Sequence, residues 1–427
     1  MLELEVIDRV LAEVERGREE IVDFAAELIR IPTVNPPGEE YAACAESIGR
    51  RLAEWGMAVD FVEGVGRSEH TVKHPRVNVI GRLEGVGPRP LVHLNGHFDV
   101  VPPGSGWTVD PFGGEIRDGR LYGRGASDMK AGLAAAAFAV VAIRRAGIPQ
   151  RGTVEVSGTV DEESGGFAGV AHLCEIGRIS SERTDYVIIP EPFGPDRICV
   201  GHKSVYWFDV TAHGRTAHGS MPHLGHSAIA DMAALLELLR TQLEPRLREF
   251  VSAMPVVPPE ARRATLNVNA LHGGQAAGKL QSPCVADECR ATFDRRFLIE
   301  ENLDDVRQEI LELVSNAEEA DPGRHYTVTE RMAVLPSQVP DGSPLVAALQ
   351  RAIERVVGRS AEFVASPGTF DQKHVVRIAG VEHCVAYGPG PLGEAHQPDE
   401  SCAVDDIVVS AEVMALTLLE LLAGEPA

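Results

Sequence analysis

Four short segments hold the residues with the greatest chemical capacity: Gly96-His97-Phe98-Asp99, Gly125-Ala126-Ser127-Asp128, Asp161-Glu162-Glu163 and Ala395-His396. Each sets an imidazole or carboxylate beside small residues or a turn signal. Imidazole and carboxylate together, with no thiolate nearby, suit zinc, manganese or cobalt at a reactive centre better than a structural zinc site. The doubled Glu162-Glu163 is the most informative detail. One carboxylate can hold a metal while its neighbour moves a proton, which is the minimum equipment for metal-assisted hydrolysis.

Each position also has a plainer reading. In the His-x-Asp spacing of His97 and Asp99, the imidazole can ligate while the aspartate fixes its tautomer. A core histidine beside a loop aspartate would look the same. Asp128 precedes a helix start, where aspartate is a favoured N-cap. The tight Gly123-Arg124-Gly125 approach favours instead a carboxylate that bridges two metals. Glu191 stands between Pro190 and Pro192, and His396 lies in Gly393-Glu394-Ala395-His396-Gln397-Pro398. Alone, these would be a solvated turn and a surface histidine. Several segments ending in the same ligand types favour one site.

The elements that would position these residues follow from apolar spacing. Glu5 to about Leu28 has helical periodicity, and a second helix is expected over Glu39–Trp55. Strands are expected at Ala58–Glu63, Val77–Leu83, Pro90–Asn95, Gly152–Thr159 and Tyr186–Pro190, with a buried helix over Lys130–Arg145. Strands alternating with helices imply an α/β layer with a largely parallel sheet, and ligands bind beyond the carboxyl ends of such strands. From about residue 203 to 332 the pattern becomes β-α-β-β-α-β, a ferredoxin-like α+β unit. The expected organisation is therefore a larger domain, 1–202 and 333–427, interrupted by an insertion over 203–332.

Composition narrows the function classes. A chain of 427 residues with 44% hydrophobic content can bury sizeable cores, and two domains are the natural expectation. A net charge of −23 argues against nucleic acid or an anionic membrane as partner. Seven scattered cysteines without Cys-x-x-Cys spacing suggest reduced thiols and a cytoplasmic protein. The acidic start Met1-Leu2-Glu3-Leu4-Glu5 does not read as a signal peptide, and the Ala-rich stretch from Ala131 is too short to span a membrane.

The stretches Gly96–Pro102, Gly123–Gly132, Asp161–Gly166, Glu191-Pro192, Gly214-Arg215-Thr216-Ala217-His218-Gly219-Ser220-Met221-Pro222 and His396 together resemble a family of dinuclear metallohydrolases. The family includes acetylornithine deacetylase, succinyl-diaminopimelate desuccinylase, aminoacylase and glutamate carboxypeptidase. The resemblance covers nearly the whole chain in order. It implies a two-metal α/β catalytic domain with an inserted lid and dimerisation domain, and hence a homodimer. By position, Asp128, Glu163 and His396 would hold one metal, and His97, Asp128 and Glu191 the other. Glu162 would be the general base, Asp99 the partner of His97, and His218 a donor from the other subunit's lid over the substrate carbonyl. For substrate contacts the resemblance points to Arg296, in the Asp294-Arg295-Arg296 run, and to Lys203, Asn267 and Thr369.

The activity this implies is cleavage of a C–N bond by a hydroxide bridging two metals, zinc first, with manganese or cobalt as alternatives. The expected bond is the amide of an N-acylated amino acid or a related small carboxylate. The chain is equally similar to the branch of 5-nitroanthranilic acid aminohydrolase, which would attack an electron-poor aromatic carbon and release ammonia. From another class, a non-catalytic metal-binding or ligand-binding relative would keep the fold but need not keep both the ligand set and the base.

Overall fold

The computed structural model describes residues 4–274 and 283–423. They form two compact units. The larger comprises residues up to Gly201, Val339–Val364 and the chain from Phe370; the smaller comprises His202–Gln338 and Ala365–Thr369.

The larger unit is built on a mixed sheet. Its strands run in the order Ala58–Glu63, Val77–Leu83, Thr153–Thr159, Leu91–His97, Tyr186–Ile189, Cys384–Ala386 and Arg197–His202. Leu91–His97 pairs in parallel with both Thr153–Thr159 and Tyr186–Ile189, and Cys384–Ala386 is parallel to the latter. The flanking pairs are antiparallel. The expectation of a largely parallel sheet is therefore corrected to a parallel centre with antiparallel flanks. The early strands at 58–63 and 77–83 are separated by a loop and not by a crossover helix, which allows the antiparallel pairing.

The helix Lys130–Arg145 lies in the core, buried on every side from Lys130 to Ile143. Seven alanines make this possible, because small side chains let the sheet and the helices Arg18–Ile29 and Val404–Ala423 approach closely. Gly132 marks the tightest approach: a Cβ there would stand 2.0 Å from the carbonyl oxygen of Pro190. The fully buried Lys130 donates its ammonium protons to the carbonyls of Leu28 and Ile31, at 2.9 and 2.8 Å. It thereby caps the last turn of Arg18–Ile29.

The single helix expected from Glu5 to Leu28 is two, Leu4–Arg16 and Arg18–Ile29. The break falls at Gly17, where the Phe138 ring occupies the place of a side chain; a Cβ would lie 1.9 Å from the ring Cζ.

The smaller unit has four antiparallel strands in the order Thr265–Gly273, Glu288–Arg296, Val205–His213 and Tyr326–Val334. Helices Ala228–Leu238 and Leu303–Ala320 complete a β-α-β-β-α-β order. Its core includes Phe208 stacked on Phe293 at 5.1 Å between ring centroids, with Val210, Leu235 and Ile310. This is the ferredoxin-like arrangement the sequence implies. Residues 283–287 form the approach to the central strand Glu288–Arg296. No helix among the described residues is long and apolar enough to cross a membrane.

Candidate active site

Three neighbouring parallel strands deliver the site. His97 is the last residue of Leu91–His97; Asp161, Glu162 and Glu163 follow Thr153–Thr159; Glu191 follows Tyr186–Ile189. Because these strands are adjacent and point the same way, their carboxyl ends bring the side chains together. Asp128 comes from the loop before Lys130–Arg145. The residue at that helix's N-cap is Met129, without a side-chain cap, so Asp128 is not spent on capping. His396 comes from a loop near the end of the chain, in a left-handed backbone conformation with φ of 63°.

Among the described residues, two clusters have metal-ligand chemistry: His97, Asp128 and Glu191, and Asp128, Glu163 and His396. Within each, the candidate ligand atoms all lie within 4.8 Å of one another. Asp128 is common to both, with Oδ1 3.1 Å from His97 Nε2 and Oδ2 3.4 Å from His396 Nε2. His396 Nε2 is also 3.0 Å from Glu163 Oε1. The nitrogen–oxygen donor set, without sulfur, fits a divalent cation in each cluster.

Electrostatics agree with that fit. Burial pushes the Glu163 carboxyl up to about 7 and Glu191 well above its ordinary range, with the Asp128 charge adding to both. Hydrogen bonds to Asp128 and Glu163 raise the His396 imidazole to about 10. Buried carboxylates that resist ionisation side by side are what a bound dication would relieve.

The tautomer of His97 follows from its other contact. Nδ1 is 3.0 Å from the Asp99 carbonyl oxygen, which can only accept, so Nδ1 carries a proton and Nε2, facing Asp128, is the nitrogen a metal would take. The Asp99 carboxylate is further away, 3.5 Å from Nδ1. Its oxygens accept instead from the backbone N–H of Glu162 at 3.1 Å and of Glu163 at 3.2 Å, and from Asn35 at 2.9 Å. Asp99 thus holds the Glu162–Glu163 turn as well as the imidazole. Asp161 secures the same turn from behind through Arg76 at 2.9 Å and the Tyr41 hydroxyl at 2.9 Å.

Sequence reasoning misses three groups that shape this site. Glu400 is buried, and its Oε1 accepts backbone N–H bonds from Gly125, Ser127 and Asp128 at 3.0, 2.9 and 3.0 Å. Its Oε2 takes a 2.5 Å bond from buried Arg124. The only available signal was the glycine-rich loop itself, whose exposed N–H groups need an acceptor. The other two are Lys373, 3.2 Å from Glu162, and buried Asp371, which accepts from Asn95 at 3.0 Å. The cluster Asp371-Gln372-Lys373-His374 was a polar run with no partner visible in the sequence.

The remaining expected residues lie in the smaller unit. His218 is exposed; its Nδ1 accepts from the Ser220 backbone N–H at 3.1 Å, leaving Nε2–H as a free-facing donor. Arg296 forks onto Asp294 at 2.7 and 3.0 Å, beside exposed Asn267, which pairs with Asp294 across the strands. Its neighbour Arg295 turns into the core onto Glu301. Thr369 is half-buried. Lys203 is buried, and its ammonium donates to the carbonyls of Ala261 and Arg263, at 2.9 and 2.6 Å. These bonds hold the Ala261–Arg263 turn and engage two of the three ammonium protons.

Such a site, at the strand ends of this fold, defines a metal-dependent hydrolase of carbon–nitrogen bonds. Peptidase family M20/M25/M40 matches residues 93–420, and the chain belongs to that family. It is 31% identical over 416 residues to a succinyl-diaminopimelate desuccinylase of Rhodospirillum centenum, covering 94% of this chain and 97% of the relative. Among solved structures, the di-peptidase Dug1p from Saccharomyces cerevisiae superposes with a TM-score of 0.76 at 15% identity, covering 98% of this chain and 99% of that one. A dinuclear metal-binding M20 peptidase of Bacillus subtilis, YXEP, gives 0.70 at 14% identity, covering 96% and 99%. The reading of the chain as a non-catalytic relative is set aside by this membership and by the desuccinylase relatives.

Proposed function

We propose that the chain hydrolyses the amide of an N-acylated amino acid or a related small carboxylate-bearing amine. The observation that carries this reading is Asp128 shared between two ligand clusters, with Glu162 next to the ligand Glu163 but outside both clusters. His97, Asp128 and Glu191 would hold one divalent ion, and Asp128, Glu163 and His396 a second. Zinc is the first candidate, manganese or cobalt the alternatives. When bound, the ions would supply Lewis acidity to water and to the scissile carbonyl.

The chain's own residues do the rest. Glu162 removes a proton from the attacking water and returns it to the departing nitrogen. His218, from a second copy of the chain in a homodimer, donates Nε2–H to the developing oxyanion. Arg296, Asn267 and Thr369 orient the substrate and its carboxylate. The smaller unit serves as lid and dimerisation module. The seven cysteines form no disulfide among the described residues, which fits a reducing cytoplasm.

The desuccinylase relatives make N-succinyl amines the first substrates to try. The test is amine and ammonia release by metal-reconstituted protein on N-succinyl, N-acetyl, N-formyl and N-carbamoyl amino acids beside electron-poor aminobenzoates. Turnover of one acyl class supports the reading. Ammonia from an aminobenzoate alone refutes it in favour of attack at aromatic carbon. Glu162→Gln should keep its metals and lose about 10²–10⁴-fold in kcat; a variant with near-normal turnover would remove Glu162 from the role of base.

A further inference from the structure

Glu162 is pinned at both ends. Its backbone N–H is held by Asp99 Oδ1 at 3.1 Å, and its Oε1 lies 3.2 Å from Lys373 Nζ. Lys373 is buried, 5% exposed, and among the described residues its ammonium makes one hydrogen bond, to Glu162. Lysine is rarely kept inside a protein without a structural or chemical reason. Burial works against the ammonium, yet the Glu162 and Asp371 carboxylates hold it above its ordinary range. Lys373 is therefore a cation at this position and not a neutral amine.

The supporting frame is directed at the same turn. Lys373 sits on the short helix Gln372–Arg377. From it, His374 reaches the Gly165 carbonyl at 2.6 Å, and Gln372 donates to the Cys384 carbonyl at 2.6 Å. Burial lowers the His374 imidazole to about 4, so the ring is neutral and Nε2–H is the donor to Gly165. One helix thus grips the Glu162–Ser164 turn at its side chain and, just past its end, at its backbone. Arg82 and Glu84, by contrast, form a surface pair of the ordinary solvated kind.

We propose that Lys373 is a positioning residue for the general base: its ammonium fixes Oε1 of Glu162, leaving Oε2 to take the proton from water. The proton cycle is confined to Glu162. The carboxylate becomes a carboxylic acid when water attacks and a carboxylate again when the leaving nitrogen is protonated. Lys373 keeps its three protons throughout. The inference rests on the reading of Glu162 as base, and it separates orientation of that base from binding of substrate.

The test uses full-length, metal-reconstituted protein carrying Lys373→Met, Lys373→Arg or Lys373→Ala, with the N-acyl amino acid that wild-type protein turns over best. Lys373→Met should bind wild-type metal and lose about 100-fold in kcat with KM within about twofold, as expected for a misplaced base. Lys373→Arg should recover most of that loss, and ethylammonium added to Lys373→Ala should restore part of it. A rise in KM with kcat retained would overturn the proposal, because Lys373 would then be a substrate contact. A crystal structure of zinc-loaded Lys373→Met gives an answer that needs no substrate. Glu162 should leave its single conformer while Asp128 and Glu163 stay in place. An unmoved Glu162 would refute the positioning role even if the substrate reading failed independently.

Discussion

Replacing Glu400 with glutamine should loosen the loop that carries Asp128. The side chain is 1% exposed and holds three backbone N–H groups through one oxygen and Arg124, also 1% exposed, through the other. Glutamine keeps the shape but turns the Arg124 side of the contact into donor against donor. Uncoupling one partner of a buried ion pair costs about 3–5 kcal/mol. The three backbone bonds also lose charge assistance, each worth about 1 kcal/mol net as a neutral bond and roughly twice that with an ionised acceptor. A loss of at least about 3 kcal/mol is therefore expected, even after water reaches Arg124. Because Asp128 belongs to both ligand clusters, both metals should weaken, by about 10–100-fold as for other residues that orient ligands. Urea unfolding of metal-free protein measures the first quantity, and zinc titration against a chromophoric chelator the second. A Glu400→Gln protein within about 1 kcal/mol of wild type, with unchanged zinc affinity, would show that the Asp128 loop is set by something other than this cradle.

Three further outcomes follow from the same geometry. With Glu163 pushed up to about 7 by burial and His396 raised to about 10 by its two carboxylate partners, the metal-free site holds protons at neutral pH. Metal must displace them, so affinity should rise as pH climbs from 6 to 8, and calorimetry in buffers of different ionisation enthalpy should register proton release. No proton release would contradict this. Urea unfolding of metal-free protein should show stability falling across the same range, with the raised His396 and Glu191 acting in the same direction as Glu163. The folded value of Glu163 lies above the usual 4.5, so its burial is tolerated at low pH and destabilises increasingly as pH rises from 4.5 through about 7. Gly17→Ala should cost about 1–3 kcal/mol in thermal or urea unfolding, because its Cβ would strike the Phe138 ring; an unchanged midpoint would mean that the helix break tolerates a side chain.

The parts of the molecule legible in the sequence are those governed by local rules. Apolar runs mark Ala58–Glu63, Val77–Leu83 and Lys130–Arg145 to the residue, and the candidate ligands before residue 200 stand out as polar residues at the ends of such runs. What was hidden depends on partners far along the chain. The break at Gly17 requires the ring of Phe138, and helical periodicity does not register a ring from another element. Glu400 and Lys373 look like ordinary loop and helix charges until the fold sets them against Gly125–Asp128 and Glu162. For Lys203 the charge was legible, but its bonds to the carbonyls of Ala261 and Arg263 were not. Asp99 shows the partial case: it meets His97 through its backbone carbonyl at 3.0 Å, with the carboxylate at 3.5 Å, and the carboxylate's hold on the backbone of Glu162 and Glu163 was not legible.

The grip of Glu400 on residues 125–128 also constrains when this protein becomes competent during synthesis. A growing chain displays His97, Asp128, Glu163 and Glu191 long before residues 396 and 400 emerge from the ribosome, and the whole smaller unit is made in between. Until then one ligand cluster lacks His396, and the loop bearing Asp128 lacks its anchor. Assembly of both clusters therefore waits on residues 396 and 400, and a fragment that stops before residue 396 cannot complete the second.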